Sequence, residues 1–194
     1  MVVLNKIYTR TGDEGTTALG TGERLAKYDL RISSYGTVDE TNATIGVARL
    51  TLEADNETAV APMLARIQND LFDLGADLCT PDRGEKLEYE PLRIVDAQVE
   101  RLEGDIDSLN AGLAPLRSFV LPGGTMAAAQ LHIARTVSRR AERLMVELAA
   151  DDAEPVSAAA LKYINRLSDF LFVASRYVND KGEGDELWVP GKNR

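Results

Sequence analysis

Residues 60–78, VAPMLARIQNDLFDLGADL, place Val60, Met63, Leu64, Ile67, Leu71, Leu74 and Leu78 at steps of three and four. That spacing lays all seven side chains on one stripe of an α-helix, since 3.6 residues make a turn. Asn56 precedes the stripe as the expected cap. Working outward, Ile32, Tyr35, Val38, Ile45, Ala48 and Leu52 form a similar stripe over residues 31–54. On the other side, residues 80–91 are a polar connection with Pro81 and Gly84. Leu92, Val95, Val99, Leu102, Ile106 and Leu109 then predict a third helix, which Gly112 and Pro115 end. A short segment, RSFVLPGG (117–124), leads into a fourth helix from about Thr125 to Ala150. A fifth runs from about Glu154 to Asn179, lined by Ile164, Leu167, Leu171, Ala174 and Val178. No segment shows strand alternation, and there is no internal repeat. The expectation is an all-α protein: a five-helix up-and-down bundle with a Gly/Thr-rich N-terminal loop. One domain over residues 1–194 is expected, with the loop at 1–27, the bundle at about 31–180 and an irregular tail at 181–194 in which Trp188 is the docking anchor.

Composition narrows the function. The 194 residues carry 22 Lys and Arg against 31 Asp and Glu, a net charge of −9. So acidic a balance argues against a general nucleic-acid surface or an anionic membrane surface. A single cysteine, Cys79, excludes an intramolecular disulfide framework and multi-cysteine metal sites. A single histidine, His132, excludes His-rich metal centres. No stretch reaches the ~20 apolar residues of a membrane span. The N-terminal residues lack the apolar core of a signal peptide. A cytoplasmic protein is expected.

Two segments draw attention on chemical grounds. Gly12, Gly15, Gly20 and Gly22 stand among Thr9, Thr11, Thr16, Thr17 and Thr21. Such a run is either a frayed arm, because each glycine loses much freedom on ordering, or a cradle of amides and hydroxyls for phosphate oxygens. It matches neither the Walker A spacing nor a dinucleotide fingerprint. In the fourth helix HIARTVSRRAER (132–143) sets His132, Arg135, Arg139 and Glu142 on one face, flanked by Arg140 and Arg143. Guanidinium forks suit polyphosphate oxygens; a solvated face of Arg–Glu pairs is the alternative. Asp39, Glu40 and Asn42 in the first helix, and Asn165, Arg166, Ser168 and Asp169 in the fifth, are polar patches that face either an internal site or solvent. His132 reads as structural or solvated rather than as a ligand, and Cys79 has no basic neighbour in sequence to activate it.

Five blocks in order, IYTRTGDEGTT, VDETNATIG, FVLPGG, HIARTVSRRAER and INRLSD, together with the tail ELWVPG, resemble the PduO-type corrinoid adenosyltransferases, which are ATP:cob(I)alamin adenosyltransferases. The resemblance implies a five-helix bundle assembled as a homotrimer, with ATP and cobalamin meeting at subunit interfaces. It implies transfer of the 5′-deoxyadenosyl group of ATP to Co(I), with triphosphate released and Mg²⁺ held mainly through the phosphates. By similarity, Thr9, Arg10, Thr11, Gly12, Asp13, Gly15, Thr16 and Thr17 form the phosphate loop, joined by Lys27. Arg139, Arg140, Glu142, Arg143 and Asn165 complete the nucleotide site. Asp39 and Arg135 match the family's interface ion pair, and Phe119 matches the aromatic residue beside the corrin ring. There it displaces the lower axial ligand of Co(II), so that a weak reductant suffices. A reductase and a B12-dependent acceptor enzyme are the implied partners. Because the nucleophile is cobalt, no activated side chain is required. A non-catalytic carrier of the same ligands would share most of these residues. A plain helical scaffold would leave the Gly/Thr loop and Phe119 unexplained.

Overall fold

The computed structural model describes residues 7–84 and 86–194. The first six residues of the expected 1–27 loop therefore lie outside the described residues. Five helices dominate: α1 (Leu30–Ala54), α2 (Val60–Cys79), α3 (Asp96–Asn110), α4 (Met126–Leu148) and α5 (Ala158–Tyr177). Their apolar stripes bury one continuous cluster that includes Ile45, Leu64, Leu71, Leu102, Leu131, Met145, Ile164 and Phe170. Not all neighbours in space are neighbours in the chain. Helix α1 packs on α2 and α4, and α5 packs on α4 and α3. This puts α4, with its arginines, between the first and last helices. Helix α1 keeps its many hydroxyls satisfied internally: Ser34, Thr37 and Thr41 each donate to the carbonyl four residues back, at 2.8 Å.

The caps correct three expectations. Asn56 does not cap α2; it turns the chain out of α1 in the left-handed region, with φ 57°. Glu57 caps instead, its carboxylate accepting from the amides of Ala59, Val60 and Ala61 at 2.8, 2.6 and 3.0 Å. A longer side chain reaches three orphan donors where asparagine reaches one or two. Helix α3 starts at Asp96 rather than at Leu92. Residues 92–95 are non-helical, Leu92 and Val95 are exposed, and only Ile94 is buried. The Gln98 side chain accepts from the amide of Val95 at 3.0 Å and so closes the helix start. Helix α5 starts at Ala158, where the Ser157 hydroxyl accepts from Ala160 at 3.1 Å. The Thr125 hydroxyl does the same for α4, accepting from Ala128 at 3.1 Å.

The segment expected to be all loop holds a small antiparallel hairpin, β1 (Thr16–Ala18) with β2 (Arg24–Ala26), in register Thr16↔Ala26, Thr17↔Leu25 and Ala18↔Arg24. Strands of three residues are too short to show the alternation by which strands are recognised. Pairing is secured by the Arg24 guanidinium, which donates to the Thr16 hydroxyl at 2.7 Å and to the Thr11 carbonyl at 2.6 Å.

Candidate active site

The hairpin presents residues 9–17 as a compact loop. The amide of Lys27 donates to Gly15 at 2.8 Å, continuing the ladder, and the Gly15 amide donates to Gly12 at 3.2 Å. Gly15 has φ +81°, a conformation that side chains resist. The Lys27 ammonium stands 3.1 Å from where a Cβ on Gly12 would sit, so glycine lets the charge close over the loop. Thr9 and Thr11 pair through their hydroxyls at 3.0 Å. Arg10 lies over the Tyr8 ring, 5.5 Å from its centroid. The loop is thus an ordered, exposed turn edged by Arg10, Lys27 and threonine hydroxyls.

Along α4 the predicted face climbs out of the core. His132 is buried, Arg135 half-buried and Arg139 exposed. His132 tilts against Phe172 at 6.4 Å between ring centroids, and burial, then the neighbouring Arg135, holds its imidazole below the ordinary range. Burial, then Arg139, likewise lowers Arg135. His132 Nδ1 and Arg135 Nε are buried without a hydrogen-bond partner. Asp39, the expected partner of Arg135, is exposed on α1 and forms no ion pair with it within the chain. Arg140 pairs with Glu40. Arg143 donates to the Arg139 carbonyl at 3.0 Å. The structure does join Glu142 to Asn165, whose amide donates to it at 2.7 Å. Among the described residues, no hydrogen bond or ion pair links residues 9–17 or Lys27 to the α4 arginines.

Phe119 sits apart from the core, 77% exposed. Its loop is nonetheless held firmly. The Trp188 amide donates to the Phe119 carbonyl and the Leu121 amide to Glu186, both at 2.8 Å. The Ser118 hydroxyl donates to the Trp188 carbonyl at 2.6 Å. The Trp188 ring stands 6.0 Å from Phe119 at 54°. Behind the loop, Asn179 accepts from the Thr125 amide at 3.1 Å and donates to Asp185 at 3.0 Å. Gly124, at φ +89°, admits this contact, because a Cβ there would meet Asn179 Oδ1 at 2.3 Å. Phe119, Leu116, Ser118, Val120, Arg135 and Phe172 line a cavity of about 460 Å³. An aromatic ring beside an apolar hollow with one guanidinium suits a large, flat, mostly apolar ligand.

A family model described as cobalamin adenosyltransferase matches residues 7–178. The chain belongs to the cobalamin adenosyltransferase family. Corrinoid adenosyltransferases of Mycobacterium tuberculosis and Bacillus subtilis are 52% and 44% identical to it. The first comparison covers 100% of this chain and 97% of the relative, and the second 93% and 90%. A solved structure of a phenylalanine-to-alanine variant of the PduO-type ATP:corrinoid adenosyltransferase from Lactobacillus reuteri, complexed with cobalamin and ATP, superposes with a TM-score of 0.84. It is 38% identical and covers 94% of this chain and 99% of that one. The chain is therefore an enzyme of the PduO type, with the helical fold of that group.

Two features of this adenosyltransferase escaped sequence reasoning. Arg24 binds both ends of the loop's turn, and its only signal was an arginine inside a Gly/Thr run. Asn179, at the end of α5, locks the Phe119 loop to the tail, and nothing local in sequence marks it.

Proposed function

We propose that this chain moves the 5′-deoxyadenosyl group of ATP onto the Co(I) centre of cobalamin. The cobalt lone pair forms the bond to C5′, the C5′–O5′ bond breaks, and its electrons leave on triphosphate. Cobalamin is a substrate here, so the protein's work is binding, alignment and charge stabilisation. Thr9, Arg10, Thr11, Gly12, Asp13, Gly15, Thr16, Thr17 and Lys27 hold the phosphates from one side. Arg139, with Arg140, Glu142, Arg143 and Asn165, holds them from the other. Among the described residues, no group of three acidic, histidine or cysteine side chains could bind a metal ion. Mg²⁺ is taken to be held mainly through the ATP phosphates.

Phe119 carries the proposal. A phenyl ring so exposed, on a loop so constrained, has little reason to be there except to meet a ligand. Placed against the lower face of the corrin, it excludes the axial base and makes Co(II) easier to reduce. The assembly is a homotrimer with sites between subunits, where Asp39 of one subunit pairs with Arg135 of the next. The buried, unpartnered Nε of Arg135 supports that reading, because an orphaned charged donor is costly. No helix among the described residues is long and apolar enough to cross a membrane. We place the enzyme in the cytoplasm, with no nucleic acid or membrane as partner, supplied by a reductase and delivering product to a B12-dependent enzyme. Anaerobic incubation with reduced cobalamin and MgATP tests the reaction. The Co(I) absorbance should disappear with one triphosphate formed per corrinoid; no triphosphate, or its formation without cobalamin, would refute it.

A further inference from the structure

The hairpin that carries residues 9–17 is fastened to the bundle at its opposite end. Leu19, at the tip, is 4% exposed. The Gly20 amide donates to the carbonyl of Cys79, the last residue of α2, at 2.8 Å. The Tyr89 hydroxyl donates to the Gly20 carbonyl at 3.1 Å. Both backbone polar groups of Gly20 are therefore bonded to the segment that leaves α2. A Cβ on Gly20 would stand 2.4 Å from the Thr80 hydroxyl and 3.3 Å from the Cys79 carbonyl. Thr80 is buried, so it has no open side to swing toward.

A line of alternating charges reinforces this contact. Glu23, next to β2, pairs with Arg83 at 2.5 Å, Arg83 with Glu154 at 2.7 Å, and Glu154 with Arg31 at 2.7 Å. Arg31 is fully buried at the start of α1 and also donates to the carbonyls of Leu78 and Pro155, at 2.9 and 3.2 Å. Beside the junction lies a cavity of about 500 Å³, lined by Thr21, Glu23, Arg83, Tyr89 and Arg93 among others. From Gly20 to Thr17 is three residues, roughly 10 Å of strand at about 3.3 Å per residue.

We propose that Gly20 and Arg83 are positioning residues, Gly20 because only glycine clears the buried Thr80 hydroxyl. Seating of the hairpin tip on the end of α2 sets where the Thr9–Thr17 loop and Lys27 stand, and so governs the apparent affinity for ATP. This rests on the reading of residues 9–17 as the nucleotide loop. Neither positioning residue, nor Thr80, is among the residues assigned to ATP or corrinoid. Displacement of about 1 Å in a binding element can change rates by as much as about a hundredfold.

Gly20→Ala is the direct test, measured in the trimer with chemically prepared Co(I)alamin. The KM for ATP should rise about tenfold or more, with kcat and the KM for corrinoid within about twofold. Thr80→Ala alone should be nearly silent, since among the described residues its hydroxyl makes no hydrogen bond. The Gly20→Ala/Thr80→Ala pair should recover much of the ATP affinity, because the 2.4 Å clash is gone and the new Cβ keeps an ordinary 3.5 Å contact with the Cβ at position 80 and a tighter 3.3 Å one with the Cys79 carbonyl. In the ligand-free protein, hydrogen exchange at Gly20 and Lys27 should quicken in Gly20→Ala and slow again in the pair. Arg83→Gln carries the test if Gly20→Ala does not fold, with an expected rise of about threefold, as befits exposed ion pairs. An unchanged KM for ATP beside faster exchange would overturn the proposal. So would an equal rise for both substrates, or failure of the pair to recover. A parent enzyme that neither binds nor consumes ATP would instead overturn the nucleotide reading, and this proposal with it, a result distinguishable because it appears before any substitution is made.

Discussion

Phe119→Ala separates a ligand-facing residue from a structural one. A fully enclosed phenylalanine buries roughly 200 Å², and 77% exposure leaves about a quarter of that covered. At about 25 cal/mol per Å², the loss is about 1 kcal/mol. The tilted contact with Trp188 adds about 0.5–1.5 kcal/mol. Stability should therefore fall by about 2 kcal/mol, or roughly 4–8 °C in Tm for a chain of this size. A core phenylalanine would cost about 3–5 kcal/mol. Catalysis should behave differently. Starting from Co(II)alamin and a mild reductant, turnover should collapse, because the axial base stays on cobalt and blocks reduction. Starting from prepared Co(I), much of it should survive, and the KM for ATP should barely move. Electron paramagnetic resonance of the variant with Co(II)alamin and MgATP reads the cause directly. A normal four-coordinate signal there would show that another residue excludes the base, and the role given to Phe119 would be wrong.

Three further outcomes follow from the site. Arg139→Ala should keep its assembly and lose about ten- to a hundredfold in kcat/KM for ATP, the equivalent of about 1.5–3 kcal/mol for a charged hydrogen bond; unchanged ATP kinetics in the folded variant would remove Arg139 from the site. Asp39→Asn and Arg135→Ala should each weaken assembly and activity, by up to about 3–5 kcal/mol for a buried pair broken from one side, and the double variant should cost less than their sum; strict additivity, by dilution and by turnover, would count against a direct pair. His132 is held neutral by burial and by Arg135, against an opposing pull from Asp185. The unfolded chain therefore binds the proton first. Stability should be fully present above pH ~6.5 and decline as pH falls through the window below it. Thermal melts from pH 7.5 to 5 should show that decline shrink in His132→Gln, and parallel profiles would refute the assignment.

How much of this was legible beforehand follows from the range of the forces involved. The stripes of Val60–Leu78 and Ile164–Val178 are local patterns, set by the pitch of a helix, and five helices follow from sequence. The start of α4 near Thr125 follows as well, whereas α5 begins at Ala158 rather than near Glu154, where the Ser157 hydroxyl caps it. The ordered blocks, read as a resemblance, point to the family that the comparisons then show. Tertiary structure decided what depends on distant partners. Glu57 displaced Asn56 as the cap of α2, and α3 waited until Asp96, since Asp77 binds both Arg93 and the Ile94 amide, at 2.9 and 3.0 Å, and draws that segment along α2. The hairpin exists because Gly20 finds Cys79 almost sixty positions away, a contact that no window of sequence contains. Phe119 is exposed, rather than buried as an apolar residue usually is, because Trp188 holds its backbone, Asn179 holds Thr125 at the end of its loop, and the ring is left outside. Local periodicity specifies elements; only long-range contacts specify which of their side chains are left facing a ligand.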